Sequence, residues 1–128
     1  MVKATPFLMF QGLAQDALAL YRDTFPDFEQ LALQEHPPGP MAGQVAIARI
    51  CIGGQEMMLN DSPPVHAFTF TPSSSIFVEC DNEAQLRALA DKLGDGNGVM
   101  MPIDDYGFST LLTWLADKFD VSWQLNHR

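Results

Sequence analysis

Hydrophobic residues recur at helical spacing in two stretches of the chain. In the first stretch, the positions Ala14, Leu18, Tyr21 and Phe25 lie three to four residues apart. This spacing predicts an amphipathic helix from Ala14 to Phe25. Pro26 follows and ends the helix, because a proline keeps the residue before it out of helical geometry.

The second helical stretch begins at Asn82. Asn82 and Gln85 match a capping box, in which two side chains bond the free backbone N–H groups at a helix start. Three leucines at helical spacing then form the apolar face, and Gly94 supplies a C-terminal stop. The pattern predicts a helix from Asn82 to Leu93.

Short runs rich in hydrophobic residues flank both helices and are typical of strands. Gly53-Gly54 fits a two-residue hairpin turn, which pairs Arg49 with Met58 and sends Ile50 and Met57 to one face. The predicted strands cover residues 6–10, 30–35, 45–52 and 55–60 in the first half, and 75–80, 99–103, 111–115 and 121–126 in the second half.

The two halves of the chain share one order of elements. Apolar positions of the first strand and the helix match between halves at a single offset, and the last strands match after a small change in loop length. The matched positions are Leu8, Phe10, Leu18, Tyr21 and Phe25 with Ile76, Val78, Leu86, Leu89 and Leu93, and then Leu59-Asn60 with Leu125-Asn126. The sequence therefore predicts a single α+β domain, 1–128, of tandem βαβββ units: a first unit 1–61, a connector 62–72 and a second unit 73–128.

Charge and composition argue against several classes of partner. Acidic residues outnumber basic ones 16 to 7, the net charge is −9, and the basic residues are scattered. Nucleic acids and anionic membrane surfaces need clustered lysine and arginine, so neither is expected as a partner. No apolar run has the length of a signal peptide or a membrane span, so the expected location is the cytoplasm. Cys51 and Cys80 lie in strand-like runs and are expected to be buried free thiols.

A set of short motifs, in a specific order and spacing, covers nearly the whole chain. The motifs are Pro6 to Phe10, Tyr21 with Phe25-Pro26, Gly39-Pro40, Gly53-Gly54-Gln55, Asp105-Tyr106-Gly107, Trp114, Asp117 and Ser122 to Leu125. With them the chain resembles the vicinal oxygen chelate superfamily of glyoxalases, bleomycin resistance proteins and dioxygenases. Within that superfamily it looks like the PhnB-like branch labelled 3-demethylubiquinone-9 3-methyltransferase. The resemblance implies a glyoxalase-like cupped mixed sheet and a homodimer.

In the metal-dependent members that the chain resembles, four strand positions supply the metal ligands, usually histidine and glutamate. By strand register, the resemblance carries these positions onto Thr5, Met58, Ser73 and Gln124, each uncertain by one residue. Hydroxyl, thioether and amide groups are poor ligands for a catalytic divalent metal. The first strand also leads into Gln11-Gly12-Leu13 rather than the glycine-rich turn that usually holds S-adenosylmethionine. No metal and no cofactor are therefore expected.

Strand alternation sends one set of side chains to the face of the sheet away from the helices. The candidate ligand cavity on that face consists of Arg49, Glu56, Met58, Phe77, Glu79 and Gln124. Apolar and aromatic walls with a few polar groups suit a small amphipathic ligand. Arg49 has two interpretations, a salt bridge to Glu56 or an anchor for an anionic ligand. Glu79 likewise fits a general base or a solvated carboxylate.

Two functional hypotheses follow. The first is a PhnB-like protein that binds a small molecule in the cupped sheet without a catalytic metal. The alternative is an enzyme of the same fold, either a lyase, isomerase or dioxygenase with displaced metal ligands or the methyltransferase of the family label. The sequence leaves open whether the protein is an enzyme.

Overall fold

The computed structural model describes residues 1–96 and 98–128, which form two helices and eight strands. Each half follows the order βαβββ, so the predicted α+β fold of tandem units is confirmed. The first half contains β1 (Phe7–Phe10), α1 (Ala14–Thr24), β2 (Glu29–Glu35), β3 (Val45–Ile52) and β4 (Gln55–Asp61). The second half contains β5 (Ser75–Glu79), α2 (Glu83–Leu93), β6 (Val99–Asp104), β7 (Leu111–Ala116) and β8 (Ser122–His127).

The chain divides into two compact units, Met1–Thr69 and Phe70–Arg128. Each unit has a four-stranded mixed sheet, in the order β1-β4-β3-β2 in the first unit and β5-β8-β7-β6 in the second. The first and last strands of each unit are parallel neighbours, and the remaining neighbours are antiparallel. Among the described residues, no helix is both long and apolar enough to cross a membrane.

The hairpin between β3 and β4 has the register that its two-glycine turn predicts. Ile50 pairs with Met57, and Arg49 pairs with Met58. Ile50 and Met57 are buried, and α1 packs against β4 on this side, whereas Arg49 and Met58 are only partly buried on the other side of the sheet. Burial thus alternates along both strands, as a sheet with one covered face requires.

The helices end where local chemistry stops them. Phe25 is extended (φ −102°, ψ 114°) instead of helical, so α1 ends one residue earlier than predicted. Pro26 causes this, since its ring disfavours helical geometry at the preceding residue. At the other helix, Asn82 is the N-cap, and its side chain accepts a bond of 2.8 Å from the Gln85 N–H. The Gln85 side chain accepts from the Asp81 N–H, one residue earlier than in a standard capping box.

The first strands of the two units do not match at the offset that the sequence predicted. Leu8 lies beside Leu59 in the first sheet, and Val78 lies beside Leu125 in the second. Because the last strands match at Leu59 and Leu125, Leu8 corresponds to Val78 rather than to Ile76 as the sequence predicted. Exposure agrees with this correction, since Phe7 and Phe77 are both about half exposed at corresponding places.

Each unit packs its core between one helix and one face of its sheet. The largest buried side chains of the first core are Leu18, Tyr21, Val45, Ile50, Met57 and Leu59, and those of the second are Leu86, Leu93, Trp123 and Leu125. The face of each sheet away from its helix is called the open face below. It carries the sequence-predicted site residues.

Candidate functional site

On the open face of the first sheet, three side chains form a row across neighbouring strands. The register places Arg49 beside Met58, and Met58 beside Phe7. Phe7 is 49% exposed, although it is a large aromatic residue. Arg49 and Met58, two of the predicted cavity residues, therefore lie together on a partly apolar surface.

Glu56, a third predicted cavity residue, anchors a small charge cluster on the same face. One of its oxygens accepts from Arg49 Nη1 at 2.7 Å and from Lys3 Nζ at 3.0 Å. The hydrogen bond from Lys3, together with the nearby positive charge of Arg49, lowers the pKa of Glu56 below its usual 4.5. The predicted salt bridge between Arg49 and Glu56 is thus present. The Arg49 side chain nevertheless remains 43% exposed, with further N–H donors that this one contact does not use.

Asn60 extends the open face beyond Met58 along β4. It lies beside Met9 of β1. Its Oδ1 atom is buried and has no hydrogen-bond partner among the described residues. In the sequence, Asn60 matches Asn126 of the second half, but it was not predicted to belong to the site.

The open face of the second sheet contains the other three predicted cavity residues. Phe77 lies beside Gln124, and Gln124 lies beside Trp114 of β7. Phe77 is 51% exposed. Glu79 lies beside Asn126 at the end of the same sheet and is exposed, which fits a solvated carboxylate.

Polar groups on the second open face are bonded mainly to one another. The Ser122 hydroxyl contacts the Ser75 hydroxyl at 2.7 Å and accepts from Trp114 Nε1 at 2.8 Å. Asn126 accepts a bond from the Ser109 hydroxyl and donates to Glu79 Oε2 at 3.5 Å. Protein groups therefore satisfy the polar side chains of this face that are most deeply buried.

Two buried carboxylates that sequence reasoning missed serve the backbone instead of a ligand. Asp61 accepts from the N–H groups of Gly12, Ala14 and Val45, and it replaces a local cap at the start of α1. Asp117 accepts from two N–H groups in the β7–β8 turn and from the indole N–H of Trp123. Each of the two acids follows or ends a strand, which was the available signal. The partners of Asp117 lie within six residues of it, whereas those of Asp61 lie 16 to 49 residues away.

The expected metal positions do not form a metal site in the first unit or in the second. Met58 lies beside Phe7, and Gln124 beside Phe77, so the neighbours of the thioether and the amide are aromatic residues and not metal ligands. Thr5 and Ser73 precede the first strand of their units and offer only hydroxyl groups. Within residues 1–96 and 98–128, no three His, Cys, Asp or Glu side chains come together in a group that could hold a metal ion. These residues do not fit a catalytic divalent metal.

The start of α1 also does not fit the anionic group of a cofactor. Helix N-termini attract anions because their first N–H groups are unpaired. Here the Asp61 carboxylate already bonds the N–H groups of Gly12 and Ala14 at 2.8 and 3.0 Å. An added anion would meet a buried negative charge.

A groove of about 590 Å³ lies elsewhere in the second unit, between α2 and the edge strand β6. Its walls include Ala90, Asp91, Val99 and Ile103, and Leu115 contributes to its lining. None of the six predicted cavity residues lines it. The groove is therefore separate from the open faces.

The cysteines are free thiols, as the sequence predicted. Cys80 is buried, whereas Cys51 is only partly buried. Burial raises the pKa of the Cys80 thiol above its usual 9.0, which lowers its reactivity.

Comparison with known proteins agrees with this architecture. The family described as 3-demethylubiquinone-9 3-methyltransferase matches residues 2–126. A PhnB protein from Bacillus cereus, described with the same methyltransferase name, is 38% identical, with 99% of this chain and 100% of that chain covered and a TM-score of 0.91. No protein of curated function matches the chain.

Two more distant structures share the fold. A protein from Pseudomonas aeruginosa is 22% identical over 100% of this chain and 98% of that chain, with a TM-score of 0.82. A glyoxylase, bleomycin resistance protein and dioxygenase domain from Frankia is 13% identical over 99% of this chain and 91% of that chain, with a TM-score of 0.64. The chain therefore belongs to the 3-demethylubiquinone-9 3-methyltransferase family, with the PhnB protein as a relative, and it shares its fold with the glyoxylase, bleomycin resistance protein and dioxygenase domain.

Proposed function

We propose that this chain binds a small amphipathic molecule on the open faces of its sheets, without a catalytic metal. The observation that carries the proposal is the pair of exposed aromatic rings at corresponding places. Phe7 is 49% exposed and Phe77 is 51% exposed. Large apolar side chains beside a few polar groups are the usual composition of a small-molecule site.

The polar group best suited to orient a ligand is Arg49. Its guanidinium has five N–H donors, and one of its nitrogens donates a hydrogen bond to Glu56. The 43% exposure of the side chain leaves donors available to an anion. A carboxylate or phosphate on the ligand would compete with Glu56 for this group.

The metal-free part of the proposal rests on donor chemistry. The positions that the superfamily uses for metal ligands hold Thr5, Met58, Ser73 and Gln124. We expect protein purified without chelator to contain less than about a tenth of an equivalent of zinc, iron, nickel or manganese, since these metals prefer imidazole, thiolate or carboxylate. Near-stoichiometric metal in elemental analysis, lost when Met58 or Gln124 is replaced by alanine, would contradict the proposal.

Binding can be tested with the fluorescent amphipathic anion anilinonaphthalene sulfonate. We expect Phe7→Ser and Phe77→Ser each to weaken binding about two- to tenfold, the scale of a lost aromatic contact. Phe68→Ser is the matched control, because Phe68 is also a highly exposed phenylalanine, at 62%, and lies outside the strands of both sheets. Binding that is unchanged in both Phe7→Ser and Phe77→Ser would sink the proposal.

The role of Arg49 needs a second comparison. Lys3 and Arg49 both contact the same Glu56 oxygen, so Lys3→Met and Arg49→Met remove the same charge from the same cluster. An anchoring role predicts that Arg49→Met weakens binding of the anionic probe about tenfold or more, while Lys3→Met has little effect. Equal affinities of the two variants for the probe would mean that Arg49 only forms a salt bridge with Glu56 and does not bind the ligand.

We also propose that the chain forms a homodimer, as the family resemblance implies. In support, the edge strand β2 is exposed along its whole length and carries Leu31 and Leu33, 46% and 38% exposed. Exposed apolar edge strands tend to be covered by another chain. Light scattering at micromolar concentration should give twice the monomer mass, and a monomer would contradict this proposal.

A further inference from the structure

The amide of Asn60 is an unsatisfied group on the first open face. Its Oδ1 is the one buried side-chain oxygen or nitrogen without a partner in the part of the chain that the structure describes. Such an acceptor weakens a fold unless something donates to it, so each case calls for an explanation.

The second sheet has an asparagine at the position that corresponds to Asn60, and the amide of that asparagine has hydrogen-bond partners. Asn126 lies beside Glu79 as Asn60 lies beside Met9. Both ends of the Asn126 amide are used, since the Ser109 hydroxyl donates to Oδ1 and Nδ2 donates to Glu79. In the first sheet, a methionine without a hydrogen-bonding group of comparable strength stands in the place of the glutamate.

The Asn60 oxygen can still reach a ligand. The residue as a whole is partly exposed, and the terminal torsion of an asparagine side chain is broad. Strand alternation places the Asn60 side chain on the open face, so a rotation of its amide would turn the oxygen toward a donor bound there. The surrounding side chains of Phe7, Met9 and Met58 supply an apolar surface.

The charge cluster lies at a defined distance from this acceptor. Glu56 and Asn60 are four residues apart on β4, which corresponds to about 13 Å along an extended strand. The backbone of Arg49 lies beside Met58, but its guanidinium reaches Glu56 and marks the anion-binding end. Met58 lies between the two ends on the same face.

We infer that the first open face binds an elongated amphipathic anion whose far end carries a hydrogen-bond donor. The carboxylate or phosphate lies at Arg49, the apolar body lies on Phe7, Met9 and Met58, and a terminal hydroxyl or N–H donates to Asn60 Oδ1. This inference rests on the proposed function and adds the class of ligand to it.

The test compares decanoate with ω-hydroxydecanoate by isothermal titration calorimetry. We expect wild-type protein to bind the hydroxylated acid about two- to tenfold more tightly, the scale of one neutral hydrogen bond. Asn60→Leu should remove this preference and raise the urea midpoint of unfolding. Asn60→Ala is the second variant if the leucine does not fit. Asn126→Leu is the matched control, which should keep the preference and lower the urea midpoint.

The outcomes separate this inference from the proposed function. A preference for the hydroxylated acid that survives in Asn60→Leu or Asn60→Ala overturns the role of Asn60. Equal binding of the two acids to the wild type overturns the inference and leaves small-molecule binding intact. If neither acid binds, the elongated-anion class is wrong, and the aromatic variants tested with the fluorescent probe then decide whether the open face binds anything.

Discussion

Replacing Asp61 should lower the stability of the first unit more than a substitution of any exposed residue does. The Asp61 carboxylate is 1% exposed. One oxygen accepts from the N–H groups of Gly12 and Ala14 at 2.8 and 3.0 Å, and the other accepts from the Val45 N–H at 3.0 Å. The side chain therefore ties the end of β4 to the start of α1 and to the start of β3.

The size of the effect follows from counting these bonds. Asp61→Leu leaves three N–H groups without their acceptor, each worth about 1–3 kcal/mol when buried. Because the leucine partly fills the space, we expect a total loss of about 3–6 kcal/mol, a large part of the 5–15 kcal/mol that stabilises a typical domain. Asp61→Asn keeps one oxygen but turns an amide donor toward an N–H group, so its loss should be about 1–3 kcal/mol.

Urea unfolding followed by two signals measures the loss and its location. Both tryptophans, Trp114 and Trp123, lie in the second unit, so their fluorescence reports on that unit while circular dichroism reports on both. We expect Asp61→Leu to shift the circular dichroism transition by the larger amount. Glu29→Gln removes one exposed acid from β2 and should change stability by less than about 0.5 kcal/mol.

The reasoning fails if Asp61→Leu is as stable as Glu29→Gln. That result would mean that water or local backbone bonds satisfy the three N–H groups once the carboxylate is gone. An Asp61→Asn variant less stable than Asp61→Leu would also contradict it, because the amide retains one acceptor. The decisive observation is therefore the order of the stability losses, which should be largest for Asp61→Leu, smaller for Asp61→Asn and smallest for Glu29→Gln.

Three further predictions concern titration and packing. Because burial raises the pKa of Cys80, its contribution to stability is complete below the usual 9.0 and is lost as the pH rises further; mass spectrometry should find the buried Cys80 alkylated by iodoacetamide more slowly at pH 8 than the partly buried Cys51. Because the pKa of Glu56 is lowered, chiefly by Lys3, its contribution is present above the usual 4.5 and is lost as the pH falls; in acid titrations, Lys3→Met should make this loss smaller. A Cβ atom on Gly98 would lie 2.5 Å from a carbonyl oxygen of β7, so Gly98→Ala should lower stability by about 1–3 kcal/mol in urea unfolding.

The sequence predicted most of the first sheet because the features that determine this sheet act over a few neighbouring residues. The Gly53-Gly54 turn determines the β3–β4 register, and alternation then assigns Arg49 and Met58 to the open face. Asn82 as a cap and Pro26 as a stop act on their immediate neighbours, so the helix ends were predictable to within one or two residues.

The contacts that sequence reasoning missed depend on which strands become neighbours. Asp61 reaches Gly12 and Ala14 only because β4 lies parallel to β1. Parallel neighbours are set by packing of the whole unit, and no short motif records them. The sequence matched Leu8 with Ile76 instead of Val78 for the same reason, since only the register of the two sheets reveals the correct match.

The two units keep one backbone plan but treat their open faces differently. On the second open face, Ser122 is bonded to Ser75 and Trp114, and Asn126 is bonded to Ser109 and Glu79. On the first, Asn60 Oδ1 has no partner within residues 1–96 and 98–128, and the partly exposed Arg49 has donors beyond its contact with Glu56. Buried polar groups that are bonded to protein hold a fold in one arrangement, whereas unsatisfied ones are available to a ligand. This difference is why the donor and anion contacts of the proposed ligand belong on the first sheet, and why Asn126→Leu on the second sheet serves as the control for Asn60→Leu.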